Sequence, residues 1–65
     1  MKLNETELTI FLKCAEELNE LSTALLQQIN KPKKNKITNI YEEILDVEKW
    51  ILLLKNNLKD LDQTR

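Results

Sequence analysis

Apolar and polar positions along this chain follow a helical period, with one interruption. Leu8, Phe11, Ala15, Leu18, Ser22, Leu25 and Ile29 are spaced by alternating steps of three and four. Ile37, Ile40, Ile44, Val47, Ile51, Leu54, Leu58 and Leu61 repeat that spacing. Such steps gather side chains into one stripe on a helix, and two heptad seams of this kind pair naturally as an antiparallel hairpin. The interruption is Asn30-Lys-Pro-Lys-Lys-Asn-Lys36, which has no apolar residue and holds the only proline. Proline disfavours helix at the residue before it. The pattern therefore predicts one all-α domain over 1–65, with a helix from about 4 to 30, a loop at 31–36 and a helix from about 37 to 62. Asn4 is a plausible N-cap, with Glu5 and Glu7 well placed against the positive end of the helix dipole. Glycine is absent, which does not suit a sheet with tight hairpins.

One seam per helix leaves apolar residues over. Ile10, Cys14, Leu21 and Ala24 widen the first stripe; Tyr41, Leu45 and Leu52 widen one flank of the second, and Trp50 and Leu53 the other. A lone hairpin cannot cover stripes of this width, so a homo-oligomer is expected, a dimer forming a four-helix bundle or a tetramer. Length points the same way. A chain of 65 residues buries only about 60% of its unfolded surface and needs outside support. A disulfide cannot provide it within the chain, because Cys14 is the only cysteine. That lone cysteine reads as a small apolar helix residue and fits a reducing, cytoplasmic setting. No apolar run reaches membrane-spanning length, and a net charge of −1 lacks the basic excess of a nucleic-acid binder. Neither membrane nor nucleic acid is expected as a partner.

Two acidic clusters carry the candidate chemistry. The first is Glu16, Glu17 and Glu20 in KCAEELNE; the second is Glu43 and Asp46 in YEEILDVEKW. Residues three or four apart share a helix face, and like charges there repel. By helical angle, Glu17, Glu43 and Asp46 fall on the flanks of the apolar stripes, where an unpaired carboxylate is costly. Counted from a loop centre near Lys33 or Lys34, Glu20 and Asp46 lie equally far back and forward, so a hairpin would set them level. A divalent cation with oxygen ligands, Mg²⁺ or Mn²⁺, would relieve both costs. With no histidine, a zinc site is not expected. The competing reading is a solvated acidic face neutralised by Lys13 and Lys49.

Glu16-Glu17-Leu18-Asn19-Glu20 followed by Glu43-Ile44-Leu45-Asp46, on successive helices, resembles the MazG-type all-α nucleoside-triphosphate pyrophosphohydrolases. The resemblance covers roughly residues 8 to 58. It implies a Mg²⁺-dependent hydrolase converting a nucleoside triphosphate to the monophosphate and pyrophosphate. It also implies Glu17, Glu20, Glu43 and Asp46 as metal ligands, with Glu16 supporting them or activating water. Only 15 residues precede Glu16, so a second chain is expected to supply further walls of the site.

Four residues are candidates for substrate contact: Trp50 by stacking on a base, Asn19 and Asn57 by hydrogen bonds, and Lys13 by its charge. Their plainer readings are an interface aromatic and surface polar groups. The loop lysines 31, 33, 34 and 36 read as a solvated turn that could also reach phosphates. A nucleotide-binding module without turnover and a structural helical oligomer are the alternatives to the enzyme. Lack of histidine and glycine excludes a histidine-based triad and a glycine-rich phosphate loop.

Overall fold

The computed structural model describes residues 2–63. Two helices, α1 (Glu5–Asn30) and α2 (Ile37–Gln63), pack against each other as a hairpin. No strand occurs among the described residues.

The ends of α1 follow from local chemistry. Asn4 Oδ1 accepts the Glu7 backbone N–H at 2.8 Å, and Glu7 Oε1 accepts the Asn4 N–H at 2.8 Å, a reciprocal capping box. At the far end the Lys31 N–H still reaches the Gln27 carbonyl at 2.8 Å. The chain then turns over Lys31–Lys34, closed by a 3.0 Å bond from the Lys34 N–H to the Lys31 carbonyl. Pro32 stands second in that turn, where its fixed φ is already suitable. Asn35 Oδ1 accepts the Ile37 N–H at 3.0 Å and opens α2.

One hydrogen bond joins α1 to the start of α2 near the loop. Gln28 Oε1 accepts the Lys36 N–H at 2.7 Å. Residue 28 is thus level with 36, which centres the hairpin at Pro32, not at Lys33 or Lys34. Gln28 also shares a face with Ile10, Cys14, Glu17, Leu21 and Ala24, and it is this face of α1 that turns toward α2. Cys14 and Ala24 are buried, and Ile10, Glu17, Leu21 and Gln28 are half-buried. From α2 the facing residues are Ile40, Glu43, Val47, Trp50, Leu54, Asn57 and Leu61, with Val47 buried and the rest half-buried.

This corrects the heptad assignment on α1. Leu8, Ala15, Leu18, Ser22, Leu25 and Ile29 are exposed, and only Phe11 of that stripe is half-buried. On α2 the expected stripe divides: Ile40, Val47, Leu54 and Leu61 turn inward, whereas Ile37, Ile44, Ile51 and Leu58 stay exposed. The small side chains at 14 and 24 are buried where the helices meet, and Gln28 lies on that same face.

On each helix the unused stripe lies about 90° around from the contact face, at about 100° per residue. The rotation has the same sense in both helices, and the helices run antiparallel. Both unused stripes therefore emerge on one side of the hairpin. The opposite side carries Lys13, Glu16, Glu20, Glu42, Asp46 and Lys49, all exposed. The molecule extends 50 × 17 × 14 Å, with a radius of gyration of 14.9 Å; a compact chain of this length would have about 11 Å. Among the described residues, no helix is long and apolar enough to cross a membrane.

Candidate functional site

Near the middle of the contact face, carboxylates replace hydrocarbon. Glu17 comes from α1; Glu43 and Asp46, one turn apart, come from α2. One oxygen from each lies within 4.8 Å of the other two. Glu17 and Glu43 are half-buried and Asp46 is exposed, so the group opens from the interhelix seam onto the polar side. Both glutamates had been expected on the flank of the apolar stripe. The rotation of α1 and α2 puts them in the contact face itself, with Cys14 and Val47 buried alongside.

Glu20, exposed on the polar side one turn from Glu17, adds its charge to the surroundings of both Glu17 and Glu43. It is not level with Asp46 as the loop count suggested, because the hairpin is centred at Pro32. Glu20 meets Glu43, while Asp46 acts on Glu17 from across the seam.

The electrostatic consequence is a raised proton affinity. Burial pushes the Glu17 carboxyl above the usual 4.5, the charges of Glu20 and Asp46 add to this, and Lys13 opposes it. Glu43 is also pushed up from 4.5, first by burial and then by Glu20, Glu17 and Asp46. The Oε2 atoms of Glu17 and Glu43 are shut away from solvent with no hydrogen-bond partner. With every carboxyl ionised the cluster contains acceptors only, so a proton or a cation is what it lacks.

Other candidates are scattered. Glu16 stands outside the cluster, exposed on the polar side and ion-paired to Lys13 Nζ at 3.6 Å. Lys13, one turn before Glu17 on α1, opposes the rise in the Glu17 proton affinity by its positive charge. Asn19 is exposed and lies about 160° around α1 from Glu17, facing away from the cluster. Asn57, expected to contact substrate, is two heptads beyond Glu43, about 21 Å along α2 and away from the cluster. Its half-buried amide has an Oδ1 without a hydrogen-bond partner. Trp50 is half-buried in the contact face one turn past Asp46, and Lys49 Nζ sits 5.4 Å from its ring centroid. That placement is one of packing, with a cation over the ring. The loop lysines 31, 33 and 34 are exposed and Lys36 is half-buried.

Two charged residues escaped notice in the sequence, Glu48 and Lys55. With Val47, Ile51 and Leu52 they line an open groove of about 410 Å³ on α2. The signal was available: two opposite charges seven residues apart inside the apolar stripe from Ile44 to Leu58.

Comparison of the chain with models of protein families, with curated proteins and with solved structures returns no match.

Proposed function

We propose that the Glu17–Glu20–Glu43–Asp46 cluster is a divalent-cation site and that the chain is a Mg²⁺-dependent nucleoside-triphosphate pyrophosphohydrolase of MazG type. The observation that carries this reading is the convergence of carboxylates from two helices around unpartnered, water-excluded oxygens. Carboxylate oxygens are the donors that Mg²⁺ and Mn²⁺ prefer. Ligands around Mg²⁺ at about 2.1 Å stand at most about 4.2 Å apart. At most one pair among three ligands stands that far apart, and the other pairs are adjacent at about 3.0 Å. Oxygens within 4.8 Å of one another would therefore draw together by side-chain rotation to close on an ion.

In this reading Glu17, Glu43 and Asp46 hold the cation. When bound, Mg²⁺ supplies charge neutralisation for a triphosphate and acidifies a coordinated water. Glu20, one turn from Glu17 on α1, would accept that water's proton. Lys13 contributes positive charge at the rim. Glu16, turned away and paired with Lys13, takes no part in the cluster. We also read the hairpin as the protomer of an oligomer, a dimer completing a four-helix bundle.

The test is product analysis. Purified chain incubated with each common NTP and dNTP should yield monophosphate and pyrophosphate with Mg²⁺. Activity should vanish with EDTA and fall at least about a hundredfold in Asp46→Asn. Nucleotides left intact across the panel would remove catalysis.

One observation favours a second reading. Burial and the charge of Glu20 raise the proton affinity of both Glu17 and Glu43, so a shared proton can satisfy the cluster with no cation at all. The chain would then be a structural helical oligomer with a proton-binding seam, and its melting temperature would not respond to Mg²⁺ or nucleotide.

A further inference from the structure

We propose that the exposed groove on α2 is a self-complementary docking surface for a second copy of this chain, in which Glu48 of each copy meets Lys55 of the other. The inference rests on the oligomeric reading of the hairpin and not on its being an enzyme.

The first argument is area. The chain exposes 5359 Å², whereas a compact monomer of 7.7 kDa would expose about 4300 Å². The excess of roughly 1000 Å² is close to the ~800 Å² that each partner of a stable dimer contributes. On α2, apolar residues on and beside the groove are open to solvent: Leu45, Ile51, Leu52 and Leu58 are 38–59% exposed.

The second argument is charge. Glu48 and Lys55 are the groove's two charged residues, set in a stripe that is otherwise apolar. Their midpoint falls between Ile51 and Leu52, close to the middle of α2 (Ile37–Gln63). A two-fold axis at that midpoint pairs α2 with an antiparallel copy along nearly its whole length. In that register Glu48 is level with Lys55 of the second copy, and the reverse. Beside the axis Ile51 is level with Leu52 of the second copy, and Leu45 is level with Leu58. An isologous contact needs this kind of self-matching, residue i on j and j on i. A parallel arrangement would set Glu48 against Glu48. The same contact leaves the polar side free, so the acidic clusters of the two copies face outward on opposite sides.

The experiment is rescue in trans, read by sedimentation of the full chain across a concentration series. Wild type should run at twice the chain mass. Glu48→Lys gives a chain with two cations in the groove, and Lys55→Glu one with two anions. Each alone should raise the dimer dissociation constant about tenfold or more. An equimolar mixture restores two attractive pairs, so dimer should return, together with any helix content lost on dissociation. A local folding defect within one chain would not be cured by a differently charged partner. A monomeric wild type overturns the proposal, as does a mixture that stays dissociated. An oligomer indifferent to both substitutions overturns this face while leaving the oligomeric reading intact.

Discussion

At the scale of single residues, the decisive feature is a pair of glutamates where leucines would be expected. Glu17 and Glu43 occupy heptad positions of the contact face, and burial raises the proton affinity of both. The sign of the pH effect follows directly. A carboxyl whose folded pKa lies above its unfolded value binds protons more tightly in the folded state. Its stabilising contribution is complete below the ordinary value of 4.5 and is lost as pH rises through the raised folded value. Without divalent cations, the melting temperature is therefore expected to rise as pH is lowered from 7 toward 5. Glu43→Gln should flatten that slope and raise the melting temperature at pH 7, as circular dichroism in EDTA would show. A wild-type melting temperature that falls over this interval would mean the carboxylates are stabilised as anions, contrary to their surroundings.

At the scale of elements, the loop and the helical character of both flanks were legible, and the rotation of the helices was not. Pro32 and six polar neighbours leave no choice about where the chain turns. Each helix, however, carries two apolar stripes about 90° apart, and periodicity ranks the one rich in leucine first. The structure uses the one containing Cys14 and Ala24, and the same face supplies Gln28, whose amide accepts the Lys36 N–H at the loop end. No periodic pattern announces such a bond. The convergence of the acidic residues was legible because it depends on hairpin topology. Their finer pairing was not, since the centre of the turn moved to Pro32. The same logic gives a test. Ala24 is 9% exposed at a close approach of the helices. Ala24→Leu should force them apart and cost about 1–3 kcal/mol in urea unfolding, as overpacking of a tight contact does. Little change would mean the helices are not held at that spacing.

At the scale of the whole molecule, the hairpin has too thin an interior to stand as an ordinary domain. Among the described residues the buried hydrophobic ones are Cys14, Ala24 and Val47, while leucines and isoleucines along both helices lie open. Burial contributes roughly 25 cal/mol per Å² of apolar surface, so an interior this thin contributes little against the entropy of ordering two long helices. If a second copy supplies the missing burial, folding and association are one equilibrium, and stability depends on protein concentration. Each tenfold increase in concentration should then stabilise the folded dimer by about 1.4 kcal/mol. Thermal melts monitored by circular dichroism from micromolar to millimolar chain would show the midpoint climbing steadily. Coincident melts across that range would mean that the hairpin holds its shape as a monomer, and the leucines of its open face would then have no part in its stability. The measurement also bears on the acidic cluster, because Glu17 and Glu43 are brought together only in a formed hairpin. Any cation they bind, and any hydrolysis they support, should weaken with dilution in step with the folded fraction.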